Sequence, residues 1–175
     1  MKYLKFLSLL LVSIFCFAGV FAQRKQVVKK NLPVVAENKT IKNGIKLKSS
    51  GFKISDAYLV FDDETIVPED NKVELNQHVN MLLIIDEGWT VTGGRVFPGS
   101  KQLIRLSNGA EILNSEELFA AFDETGVPPE DARYITLNAV ITELKDKKNH
   151  VIVNFRVWDK KGNAEITGSY KLFIR

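Results

Sequence analysis

The sequence predicts an all-β sandwich carrying one short helix near 115–124. Three observations lead there. The last 41 residues alternate apolar and polar side chains in three successive stretches, Ile135–Ile141, Val151–Val157 and Ile166–Ile174, which is the period that turns one face of a strand into a core. Val79–Ile85, apolar at every position but Asn80, is a run of strand length, and Asn108-Gly109 stands between two short apolar segments as a hairpin turn would. The 175 residues, 45% hydrophobic and 26% charged, suffice for one domain with a full core and exclude disordered, collagen-like and multi-span membrane classes.

Reading from the N-terminus, Lys2 and Lys5 precede an uncharged run from Phe6 to Ala22 that ends in Val20-Phe21-Ala22. Positive start, apolar middle and small exit predict a secretory signal peptide over 1–22, with an exported, periplasmic or extracellular product and no transmembrane segment after cleavage. Its removal takes away Cys16, the only cysteine. The exported domain then has no disulfide, thiol nucleophile or thiolate metal site, and must hold together by packing. Residues 23–48 follow as a basic arm, with eight Lys and Arg against Glu37 alone, whereas 49–175 hold 14 basic and 20 acidic residues. No aromatic residue lies in that arm to stack on a base, so nucleic acid is not the expected partner.

The predicted single domain, 49–175, opens with a strand at Phe52–Phe61, where Phe52 and Ile54 alternate before Tyr58-Leu59-Val60-Phe61. An acidic turn, Asp62–Asn71, separates it from the Val79–Ile85 strand. A glycine-rich stretch, Trp89–Gly99, comes next, and then the hairpin around Asn108-Gly109, with Leu103–Leu106 and Glu111–Leu113 as its arms. Asn114 or Ser115 can cap the helix, Glu116 and Glu117 suit its first turn, and Gly126 with Pro128-Pro129 ends it.

The final three strands are expected to form a meander. In the last hairpin the register that keeps apolar side chains together sets Val157 opposite Ile166, Phe155 opposite Gly168, Val153 opposite Tyr170 and Val151 opposite Leu172. A slip of one residue would place Glu165, Thr167, Ser169 and Lys171 in the core. The same reasoning pairs Ile141 with Val153 and Ala139 with Phe155, seating Phe155 between two small residues. The tail, 155–175, resembles the final hairpin of many immunoglobulin-like sandwiches, which makes the expected class immunoglobulin-like. A faint parallel between His78-Val79 … Asp86 … Thr92-Gly93 and His150-Val151 … Asp159 … Thr167-Gly168 leaves open two similar halves.

Chemistry is sparse. His78 and His150 are the only histidines, which excludes a three-histidine zinc site, and no nucleotide loop or nucleophile elbow occurs. No cofactor and no metal is expected, although Asp62–Asn71 offers oxygen ligands of the kind calcium takes, without the EF-hand spacing. Trp89, Arg95, Phe97 and Trp158 are the candidate ligand-binding residues, since aromatic rings beside a cation suit sugars and peptide side chains. The alternative for Trp89 and Phe97 is that they close the core. The reading is thus an exported, non-catalytic protein with a binding or cell-envelope assembly role, its ligand unassigned and a protein or polysaccharide of the cell envelope its candidate partners. Its rival is a small secreted carbohydrate-active enzyme or other hydrolase using Asp and Glu, which needs a cleft holding a carboxyl group of raised proton affinity.

Overall fold

The computed structural model describes residues 40–146 and 148–175. The predicted signal peptide and residues 23–39 of the arm lie outside the described residues. Ten strands occur in the order β1 (Thr40–Ile41), β2 (Lys46–Ser50), β3 (Lys53–Val60), β4 (Lys72–Val73), β5 (His78–Glu87), β6 (Pro98–Leu106), β7 (Glu111–Asn114), β8 (Tyr134–Val140), β9 (Val151–Asp159) and β10 (Glu165–Ile174). They make two packed sheets. One has four strands in the order β1-β3-β5-β8; the other has six, β2-β10-β9-β6-β7, with β4 also paired to β10. The chain is therefore an all-β sandwich. Among the described residues no helix is long and apolar enough to cross a membrane.

The alternation seen in the sequence is what builds the core. Ala57 and Leu59, Val79 through Ile85 at every second position, and Ile135, Leu137 and Ala139 face inward from the four-stranded sheet. Val151, Val153, Phe155, Val157, Ile166, Tyr170 and Leu172 meet them from the six-stranded sheet, all buried. Val79–Ile85, apolar but for Asn80, is central in its sheet, with Leu82 and Ile84 half-buried on the outer side.

The β9–β10 hairpin has the predicted register, Phe155 on Gly168 and Val153 on Tyr170. Phe155 and Gly168 are in close contact: a Cβ on Gly168 would lie 2.4 Å from the Phe155 ring and 2.6 Å from the Lys46 carbonyl oxygen of β2. The Asn108-Gly109 hairpin is also present, joining β6 to β7, with the Gly109 N–H donating to the Leu106 carbonyl and the Asn108 side chain accepting from the Ala110 N–H.

Three expectations are corrected. First, β8 does not pair with β9. It pairs with β5 in the other sheet, with Ala139 opposite Val79, and the second neighbour of Phe155 is Gln102 of β6. Period two fixes which side chains point inward but not which strand lies alongside, and the stretch between β8 and β9 is long enough to cross the sandwich. Second, no α-helix forms near 115–124; only one 3-10 turn, Ala120–Phe122, is present. Ser115 and Glu117 spend their capping groups on β6 instead: Ser115 Oγ accepts from the Gln102 N–H at 2.8 Å, Glu117 Oε1 accepts from the Ser100 N–H at 2.8 Å, and the Leu118 N–H donates to the Ser100 carbonyl at 2.9 Å. The segment thus lines the open edge of β6. Third, the two halves are not alike in topology, since β3 pairs with β5 whereas β8 and β9 lie in different sheets.

Candidate binding face

The four residues singled out from the sequence lie in different settings. Trp89 packs edge-on against Phe52 with ring centres 4.6 Å apart, and its indole N–H donates to the Ala132 carbonyl at 3.2 Å. That is the core-closing arrangement. Arg95 is exposed in the tight Thr92–Arg95 turn. Phe97 is half-buried, with the Lys161 ammonium 4.8 Å from its ring centre. Trp158 lies on the outer face of the six-stranded sheet, half-buried, with its indole over Gly99 and the Arg156 guanidinium 4.8 Å from its ring centre. A Cβ on Gly99 would come within 2.2 Å of that indole.

The face carrying Trp158 is built from the outward residues of four adjacent strands. One ladder row runs Lys48, Thr167, Arg156, Lys101 across β2, β10, β9 and β6. The next rows run Lys46, Ser169, Asn154, Leu103 and then Lys171, Ile152, Arg105. Six bases thus project from a patch about three strand spacings, or roughly 14 Å, wide. Glu165 is the only carboxylate on these four strands' outer face, and it takes two hydrogen bonds from Arg156, the Nε one at 2.8 Å. Among the described residues Lys46, Lys48, Lys101, Arg105 and Lys171 have no ion pair. Lys46 and Lys48 sit inside the span read from the sequence as arm; in the fold they belong to this sheet. Strand alternation in the sequence carries the signal, but only once the neighbours of each strand are known.

At one end the face dips into an open depression of about 320 Å³, lined by Lys46, Ile152, Ser169, Lys171 and Phe173 and walled by the Asn43 and Asn71 turns. These two asparagines are buried and tie both sheets together. The Asn43 side-chain oxygen accepts from the Leu59 N–H at 2.9 Å and its amide donates to Asn71 Oδ1 at 3.0 Å, while the Asn71 amide donates to the Lys171 carbonyl at 2.8 Å. Both hold positive φ, 54° and 52°, a conformation that asparagine tolerates better than most residues.

The acidic loop is occupied by its own contacts. Asp63 takes hydrogen bonds from the Thr65 hydroxyl and N–H, which hold its carboxyl below the usual range, and Lys72 does the same for Asp70. Among the described residues no three His, Cys, Asp or Glu side chains converge as a metal site. Elsewhere, burial pushes Glu117 up, but hydrogen bonds from Lys160 and the Ser100 and Phe119 N–H groups outweigh it and leave the carboxyl lowered. The chain matches no protein-family model and no curated protein.

Proposed function

We propose that the chain is an exported, non-catalytic protein that binds an acidic polysaccharide of the cell envelope across the outer face of its six-stranded sheet. The observation that carries this is the row Lys48–Thr167–Arg156–Lys101, in which Arg156 stands directly opposite Lys101. Like charges opposite one another on a sheet are unfavourable, and an anionic ligand relieves that repulsion. The intervening Thr167, Ser169 and Asn154 offer hydroxyl and amide groups for sugar hydroxyls, and Trp158 offers a ring for stacking. Export rests on residues 1–22. Binding is favoured over the hydrolase reading because Asp63, Asp70 and Glu117, the carboxyls held away from their ordinary range, are all shifted down. A general acid needs the opposite direction.

The test compares affinity for alginate and for neutral dextran at low and moderate salt. Alginate should bind, more weakly as salt rises, and dextran should not. Lys48→Glu with Lys101→Glu should weaken alginate binding about thirtyfold, from on the order of 1 kcal/mol per charge lost or reversed at an anionic surface. Asp56→Asn, on the opposite face, should leave it unchanged. Equal binding of dextran, unchanged affinity in the double variant, or cleavage of the polymer would each overturn the reading.

A further inference from the structure

Sheet edges expose unpaired backbone groups, and proteins guard them with brevity, lysine or bulges. Among the described residues the edges of this sandwich are β1, β2 with β4, β7 and β8. β1 and β4 are two residues long, β2 carries Lys46 and Lys48, and β7 has four residues with a register shift against β6. β8 has none of these guards. It is seven residues, Tyr-Ile-Thr-Leu-Asn-Ala-Val, with no charge, no proline and no register shift against β5.

The Ile85 N–H donates to the Arg133 carbonyl at 2.9 Å, so the unbroken register turns the backbone groups of Ile135, Leu137 and Ala139 towards β5. Those of Thr136, Asn138 and Val140 point away from the sheet. They form a set that matches itself when a second β8 is laid alongside antiparallel. The charges beyond the strand ends choose the register. Centring on Leu137 would set Asp131 against Glu143 of the other copy, two like charges. Centring on Asn138 pairs Thr136 with Val140 and sets Arg133, which also holds Asp86 of its own copy, against that Glu143, so each end gains a cation where the other register opposes two carboxylates. Tyr134, 42% exposed at the edge, gains cover from the neighbouring copy in this arrangement.

We propose that β8 pairs antiparallel with β8 of a second copy about a two-fold axis at Asn138, merging two four-stranded sheets into one of eight strands. This is independent of the polysaccharide reading, because the edge lies on the other sheet from the basic face.

The test uses the purified chain carrying Cys16→Ser, which leaves no cysteine. Residues facing each other in a hydrogen-bonded antiparallel pair have Cα atoms about 5.5 Å apart, within disulfide reach. Asn138→Cys should therefore form a disulfide-linked dimer under mild oxidation, and Thr136→Cys should cross-link to Val140→Cys in a mixture but not to itself. Without added cysteines the chain should sediment as a dimer, and Asn138→Lys, which places two ammonium groups together on an exposed position, should lower the dimer fraction at least tenfold with the melting temperature of the monomer fold retained. A monomer at about 100 μM, or a dimer that survives Asn138→Lys, would overturn the proposal. Cross-linking of Thr136→Cys to itself would overturn the register.

Discussion

The two outer faces of the sandwich share one geometry and have opposite chemistry. On the four-stranded sheet the polar side chains satisfy one another: the Asn138 amide donates to Asn80, the Asn80 amide donates to Asp62, and Arg133 pairs with Asp86, each at 2.9 Å. Tyr58, Leu82 and Ile84 fill the space between, and burial followed by the charge of Asp56 raises the Tyr58 hydroxyl above its ordinary range. On the six-stranded sheet Arg156 faces Lys101, and the one carboxylate, Glu165, pairs with Arg156 and leaves the other five bases without an ion pair. The first face is what a sheet does when nothing is asked of it beyond solubility. The second carries repulsion that folding alone does not require, and the proposed ligand face rests on that difference.

The comparison depends on β2 being held to β10, since β2 supplies Lys46 and Lys48. Gly168 makes that possible by letting the Phe155 ring and the Lys46 carbonyl approach its Cα. Gly168→Val should therefore destabilise the fold by about 1–3 kcal/mol through overpacking, although valine is the better strand former. Thr167→Val, one residue away on the outer face, should cost much less. Urea unfolding of both variants decides the matter. A neutral or stabilised Gly168→Val would mean that β2 is not packed there, and the basic face would lose its edge.

That contact was legible in the sequence because size complementarity between Phe155 and Gly168 selects a register. So were the apolar inward positions of β8, β9 and β10, because period two reports burial directly, whereas Asp159, buried at the end of β9, was not. The partner of β8 was not legible: Ala139 is as well accommodated beside Val79 as beside Phe155, and alternation is blind to that choice. The helix near 115–124 failed for a related reason. Ser and Glu at a helix start and Ser and Glu lining an open strand edge use the same acceptors, and β6 offered Ser100 and Gln102 N–H groups that a local reading could not see. The basic face was hidden in the same way, since its six bases come from four strands spread over 46–171 and become one surface only through the sheet order. Trp158 was visible as an outward residue, whereas its support by Gly99 was not.

That support gives a sharper probe of the basic face. Gly99 leaves room for the Trp158 indole to lie flat on β6, beneath the Arg156 guanidinium. Gly99→Ala should lift the ring and break the cation–ring contact, a loss of roughly 0.5–1 kcal/mol, smaller than at Gly168 because the obstructing group is a side chain free to move. Tryptophan emission should shift to longer wavelength, and alginate affinity should fall. Trp89, the other tryptophan, is fixed against Phe52 and Ala132 and adds the same background to parent and variant, so the shift is read as the difference between them. Unchanged emission would show that the indole does not rest on Gly99.

The smallest effect concerns the end of the sheet, where Lys160 hydrogen-bonds both Glu117 and Asp123 and so holds the 115–123 segment against β6. Burial pushes Lys160 down, but these two carboxylates outweigh it and raise its affinity for the proton. A raised lysine contributes stability that is complete below its unfolded value of about 10.5 and fades as the pH climbs through its higher folded value. Glu117 is lowered, so its contribution is complete above about 4.5 and fades as the pH falls through its folded value. Between those limits the cluster should give no pH dependence. Lys160 keeps 17% side-chain exposure and Asp123 keeps 54%, so solvent screens the group and the whole effect should stay below about 1 kcal/mol. Lys160→Met removes the charge while keeping most of the stem. It should shrink the alkaline loss of melting temperature, leaving the part that comes from the buried Tyr170 and Tyr58 hydroxyls, and weaken the acid one, because the Ser100 and Phe119 N–H groups still hold Glu117. Alginate binding should be unchanged, since Lys160 already serves two carboxylates and stands apart from the Lys48–Arg156–Lys101 row. An alkaline limb as large in the variant as in the parent would assign all of it to the buried tyrosines, and a large loss of alginate binding would extend the ligand face beyond Trp158 to this end of the sheet.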